Sequence, residues 1–211
     1  LINREEFEAQ VTKHRETIKE IFGQTPTVFR NTELVYSDEI GAMIADMGFK
    51  TVVTEGAKHI LGWKSPNYVY CNAINPRLKV LLRNFKLSDD ISFRFSNKSW
   101  NEYPLTADKY VAWLNALDKK EQTVNIFMDY ETFGEHQDQN TGIFEFLKAL
   151  PRAVFSRSSY HFATPSDVAD RHQPIAAISA LHPISWADEE RDISAWLGNE
   201  LQQAAFNKLY S

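Results

Sequence analysis

The sequence contains a single cysteine, Cys71, among 211 residues. An internal disulfide framework is therefore excluded, as is a cysteine-based structural zinc site. Placed at the end of an apolar run, Cys71 reads as a small core residue rather than a nucleophile. Also missing is any apolar stretch near the ~20 residues that a membrane-spanning helix requires. Basic runs are absent too, and the formal charge is −5, which leaves no electrostatic footprint for nucleic acid or a membrane surface. Charged residues begin at Arg4, so no signal peptide is expected and a cytoplasmic setting is. His14, His59, His161, His172 and His182 each stand alone, without the second histidine at helical spacing that a metal site would use. No metal and no other cofactor is expected. Repeats, low-complexity segments and long linkers are lacking as well. What remains, 43% hydrophobic and 24% charged, suits one domain long enough to bury a core.

The informative stretch is Thr123 to Gln137. Val124 to Met128 is almost wholly apolar, as expected of a short buried parallel strand. Asp129, Glu131, Glu135 and His136 follow at once, interrupted by Gly134. Open sheets and α/β barrels put their chemistry at the carboxyl ends of such strands. One strand end of this kind is weak evidence, because solvated loops are acidic too. A second has the same design: Val28 and Phe29 lead into Arg30, Asn31, Thr32 and Glu33. Two carboxyl groups delivered from separate strands are what acid/base hydrolysis of acetals needs.

The rest of the chain alternates between the two periods. Arg4 to Phe22 reads as a helix with Phe7, Val11, Ile18 and the Ile21/Phe22 pair on one stripe and Gly23 as its stop. Asp38 to Met47 is a second helix, with Ile40, Met43, Ile44 and Met47 on its inner face, and Phe49 to Thr54 a strand. Glu55 closes that strand, and Trp63 beyond it is either a ring platform for a sugar or a core residue. Tyr68 to Cys71, Lys79 to Arg83 and Tyr160 to Ala163 are further strands, making six. Helices are expected over Asp89 to Phe95, from a Thr106 cap to about Leu117, over Ile143 to Leu150, and after Thr164. The region from Ile184 to the end is acidic first and then amphipathic through Trp196, Leu197, Leu201 and Leu209. Strands alternating with helices predict an α/β, parallel-stranded arrangement. A full eight-stranded barrel takes ~250 residues, so a partial barrel is expected.

Three segments carry a resemblance to a known family. They are Phe29-Arg-Asn-Thr-Glu-Leu-Val-Tyr-Ser-Asp38, Phe127-Met-Asp-Tyr-Glu-Thr-Phe-Gly-Glu-His136, and Ser185-Trp-Ala-Asp-Glu-Glu-Arg-Asp-Ile-Ser-Ala-Trp-Leu-Gly-Asn199. Together and in this order they resemble the third, fourth and fifth sequence regions of glycoside hydrolase family 57, the α-amylase and 4-α-glucanotransferase group. The resemblance implies part of an incomplete (β/α)7 TIM-like barrel and a retaining enzyme acting on α-1,4-glucans or maltooligosaccharides. It implies Glu33 as the nucleophile and Asp129 as the general acid/base. Arg30, Asn31, Glu131 and His136 would be neighbours that hold the carboxylates or the sugar, and Trp186 and Asp188 would contact substrate. Arg30 would bring positive charge to Glu33, and Glu131 and Glu135 negative charge to Asp129, the asymmetry that splits two carboxyl roles. With retention, the two carboxyl groups should lie ~5–5.5 Å apart.

The family's first two regions have no counterpart before Glu33. His172-Gln173-Pro174 has the letters of the first but follows Asp129, and reads as a helix end terminated by Pro174. Early barrel strands are therefore expected to be missing, and an exposed barrel edge could support self-association. Two other classes compete. A metal-dependent carbohydrate deacetylase would use Asp129, Glu131 and His136 as ligands but lacks a paired histidine. A non-catalytic glucan-binding domain would have no need of acids at both strand ends.

Overall fold

The computed structural model describes residues 3–187 and 189–210. Helix α1 (Arg4–Phe22) follows the expected stripe: Asn3 caps it by accepting from Glu6 N, and Gly23 ends it at φ 67°. Only the first part of the stripe is used. Phe7 and Val11 pack on the core, while Ile21 and Phe22 are about two-thirds exposed, at 64% and 65%. Strand β1 (Val28–Arg30), helix α2 (Asp38–Asp46) and strand β2 (Thr51–Glu55) come next. Every residue of β2 is buried, as in a parallel strand covered on both faces. The short helix α3 (Lys58–Leu61) leads to β3 (Val69–Asn72) and β4 (Lys79–Arg83). A second group of helices, α4 (Phe85–Ser92), α5 (Ala107–Asn115) and α6 (Ile143–Arg157), packs around its own core. Helix α7 (Pro165–Arg171), strand β5 (Ala177–Ile178) and helices α8 (Ser194–Leu197) and α9 (Glu200–Leu209) complete the order.

The sheet order is β1-β2-β4-β3-β5. β1, β2 and β4 run parallel, in register through Phe29, Val52 and Val80, and β5 is parallel to β3. The exception to the expected parallel pattern is β3, which runs antiparallel to β4. Too few residues separate the two for a crossover, which takes a dozen or more. The chain instead turns back on Asn72, whose Oδ1 accepts from Ile74 N at 3.0 Å and Asn75 N at 2.6 Å.

Two expected strands do not form. Tyr160–Ala163 is loop. Val124–Met128 joins no ladder, and side chains hold it where a neighbouring strand's backbone would. Asn125 Nδ2 donates to Leu82 O at 2.9 Å, Arg83 Nε donates to Phe127 O at 2.8 Å, and Ser88 Oγ accepts from Phe127 N at 3.2 Å. One backbone bond, Asn84 N to Asn125 O at 2.8 Å, completes the seam. The segment thus docks beside the end of β4 without joining the ladder.

Helix boundaries differ in two places that bear on the site. α4 starts before Asp89 because Asn84 caps it, accepting from Leu87 N, and this brings the helix end to Ser92 and Phe93. α6 runs past Leu150 to Arg157 through Pro151 and buries Ile143, Phe146, Ala153 and Val154. Leu147, expected inside, is 41% exposed. Thr164 caps α7 in a reciprocal capping box with Asp167, and His172 ends it. Neither α8 nor α9 buries a residue. Among the described residues no helix is long and apolar enough to cross a membrane.

Candidate active site

Glu33 sits just past β1 in a tight turn, Thr32–Leu34. Asn31 builds this turn: its Oδ1 accepts from Thr32 N at 3.0 Å and its Nδ2 donates to Val35 O at 3.1 Å. Both Glu33 (φ 51°) and Leu34 (φ 52°) adopt left-handed backbone, which costs a non-glycine residue about 1–3 kcal/mol. Contacts on either side hold the turn there. Leu34 is wholly buried, and its carbonyl accepts from Thr54 Oγ1 at 2.9 Å. The Glu33 carbonyl accepts from Ser185 Oγ at 2.7 Å and from Trp186 N at 3.2 Å. The result is an exposed carboxylate on a fixed turn. Its Oε2 accepts from Trp186 Nε1 at 3.0 Å. The Trp186 ring in turn lies 4.9 Å from the Arg30 guanidinium and 5.4 Å from that of Arg83.

Asp129 ends the docked 124–128 segment. Its Oδ1 lies 3.4 Å from Arg30 Nη2, both side chains being partly exposed. Arg30 was expected beside Glu33; it instead reaches Asp129 and stacks on Trp186, because the left-handed turn carries the Glu33 side chain toward the indole. Glu131 and Glu135 are exposed and point their contribution at the backbone. The Glu131 carbonyl accepts from Glu135 N at 3.2 Å and His136 N at 2.9 Å, closing the turn that returns His136 to the site.

A cleft of about 240 Å³ brings together Glu33, Asp129, His136 and Trp186, with Arg83, Phe93, Met128 and Arg191 among its other walls. Residues far apart in the sequence thus meet around one opening. Arg30, Asn31, Glu131 and Trp63 do not line it; Trp63 is 93% exposed. Asp188 lies outside the described residues.

Arg83 and Arg191 reach inward from the cleft wall into a largely buried four-charge network that the residue patterns did not announce. Arg83, at the end of β4, gives Nη1 to Glu55 Oε2 at 3.0 Å and Nη2 to Asp89 Oδ1 at 2.6 Å. Arg191 reaches the same two carboxylates, at 3.5 Å and 3.1 Å. Glu55 is fully buried, and burial raises its carboxyl above the ordinary range against the pull of Arg83, Arg191 and the Gly56 N–H. Two signals pointed here without being joined. Glu55 closes an apolar strand, and Arg83 closes another. Phe93, 64% exposed at the rim, left no trace, since an apolar residue at a helix end reads as core.

Asp129, Glu131 and His136 do not assemble as a ligand set. Among the described residues no three histidine, cysteine, aspartate or glutamate side chains gather as a metal-holding group.

Three comparisons bear on this architecture. Residues 1–180 match the family model described as glycosyl hydrolase family 57. The chain is 50% identical over 207 residues to a Methanocaldococcus jannaschii protein named "Putative alpha-amylase", covering 97% of this chain and 44% of that protein. A crystal structure of a 4-alpha-glucanotransferase from Thermococcus litoralis aligns with a TM-score of 0.66 over 85% of this chain and 28% of that one, at 18% identity. The mostly parallel sheet with its helices is thereby a partial TIM-like barrel. The chain spans less than half the length of both proteins.

Proposed function

The chain belongs to glycosyl hydrolase family 57, and on that premise we propose that Glu33 and Asp129 are the two catalytic carboxyl groups of a retaining enzyme acting on α-1,4-glucans. The observation that carries the reading is their meeting in one cleft, delivered from the end of β1 and from the docked segment beside β4.

The chemistry follows from the two roles. The Glu33 carboxylate attacks the anomeric carbon while Asp129 gives its proton to the departing glycosidic oxygen, so the C–O bond breaks as the glycosyl ester forms. Asp129, now a carboxylate, takes a proton from an incoming water, which attacks the same carbon and releases Glu33. Two inversions give net retention. The fixed turn under Glu33 supports the nucleophile role, because attack needs the carboxylate held in line. The Arg30–Asp129 contact is long and half-exposed, a pair that an arriving sugar can separate at little cost. His136 and Trp186 are the substrate neighbours in this reading. An amylase passes the glycosyl group to water and a glucanotransferase passes it to a second glucan. The 50% identity to a protein named for the first activity favours water.

Incubating the chain with a maltooligosaccharide and separating the products tests the proposal. Shorter maltooligosaccharides, lost in both Glu33→Gln and Asp129→Asn, are expected. Cleavage that survives either substitution would overturn the assignment.

A further inference from the structure

Among the described residues, three that are not glycine adopt left-handed backbone: Glu33, Leu34 and Arg191 (φ 57°). All three belong to one assembly. The turn carrying Glu33 and the segment 185–191 are bonded to each other, through Ser185 Oγ and Trp186 N to the Glu33 carbonyl and Trp186 Nε1 to its carboxylate. Arg191 closes the segment. Its Nη2 lies 3.1 Å from Asp89 Oδ2, and its Nη1 lies 3.5 Å from Glu55 Oε2 and donates also to the Trp186 carbonyl. Strained backbone persists where the surroundings over-determine it, and it clusters at working sites.

We propose that Arg191 is a positioning residue: by tying the 185–191 segment to Glu55 and Asp89 it fixes Trp186, and through Trp186 it orients the Glu33 carboxylate. The inference rests on the reading of Glu33 as nucleophile. Charge balance makes the tie strong. Arg83 alone faces two buried carboxylates, so lifting Arg191 away leaves one negative charge uncompensated in the interior, a costly state. Stability alone is a poor reason for the network, since well-packed apolar side chains often do as well as buried ion pairs. Orientation is a better one. An exposed glutamate has several rotamers open to it, and the indole N–H selects one. The polar contacts of the Arg191 guanidinium go to Glu55, Asp89 and the Trp186 carbonyl, and its Cζ lies 5.8 Å from the centre of the Phe85 ring.

The test compares the full chain with Arg191→Met, Arg191→Lys, Trp186→Phe and the Trp186→Phe/Arg191→Met double variant, acting on an aryl maltooligosaccharide. Arg191→Met is expected to lower kcat roughly 100-fold with KM within about twofold, and Arg191→Lys to recover part of it. The double variant should be no slower than Trp186→Phe alone, because both act through one contact. Independent losses that simply multiply would overturn the relay. A second readout does not need turnover. Trp186 emission, isolated by subtracting the spectrum of Trp186→Phe, should become more quenchable by acrylamide in folded Arg191→Met. Unchanged quenching there would overturn the docking role. An inactive wild-type chain would count against the nucleophile reading instead, while the quenching result still decides whether Arg191 holds the segment.

Discussion

The ring of Phe93 lies almost parallel to that of His136, with centroids 6.5 Å apart and planes inclined by 27°. One side chain comes from the end of α4 and the other from the turn after Asp129. Both line the cleft that holds Glu33 and Asp129. Phe93 is the more apolar half and is 64% exposed, so an apolar pyranose face laid on it removes surface from water at both partners. Phe93→Ala is expected to raise KM for a maltooligosaccharide by about tenfold with kcat nearly unchanged, the signature of lost uniform binding. Phe93→Trp should restore KM. A fall in kcat at constant KM would assign the ring to the chemistry rather than to binding.

The buried network predicts a contrast in stability. Arg83 is 3% exposed and contacts two carboxylates. Arg83→Met strands one of them, and breaking a buried pair in this way costs about 3–5 kcal/mol. Removing a carboxylate at the same time, in Arg83→Met/Glu55→Leu, leaves Asp89 with Arg191 and should be less destabilising than Arg83→Met alone. Urea denaturation of the two variants checks the order. If the double variant is the weaker, the network is not charge-coupled.

Buried tyrosines set the alkaline limit. Burial raises the hydroxyls of Tyr36 and Tyr110 well above the ordinary value of 10.0 and pushes Tyr70 up to about 12. A group whose folded value is raised contributes stability that is complete below its unfolded value, here near pH 10.0. That contribution declines as pH rises toward the folded value, because the unfolded chain ionises first. Stability should therefore be flat with respect to these groups below about pH 10 and fall above it. Tyrosinate absorbance from these residues should appear together with loss of the folded circular dichroism. Full tyrosinate absorbance in a chain that is still folded would contradict the burial.

Much of this was legible in the chain itself, and the limits have physical reasons. Helices declare their ends through short-range chemistry, so Gly23, Thr106 and Thr164 marked their ends. Apolar runs located β1, β2 and β4. The Val124–Met128 run misled in one respect, because a short apolar segment reads alike whether backbone or side chains hold it. Asn125, Arg83 and Ser88 make that choice, and each comes from tertiary contact. Glu33 and Asp129 were visible as acids after apolar runs. The partner of Arg30 was not, since nearness in sequence favoured Glu33, whereas the docked 124–128 segment brings Asp129 to it. Arg191 was hidden for a related reason: within the acidic run Glu189-Glu190-Arg191-Asp192 the letters alone do not show that its side chain turns inward.

Glu33 as the proposed nucleophile and Asp129 as the proposed acid and base are tested most directly by trapping the glycosyl ester on Glu33. An α-maltosyl fluoride needs no proton on its leaving group, so Asp129→Asn should still form the glycosyl ester. With no base to activate water, the ester should accumulate. The expected result is one maltosyl adduct in the intact mass, mapped by peptide analysis to Glu33 and absent in Glu33→Gln/Asp129→Asn. An adduct on another carboxylate, or a persistent adduct in the double variant, would contradict the account.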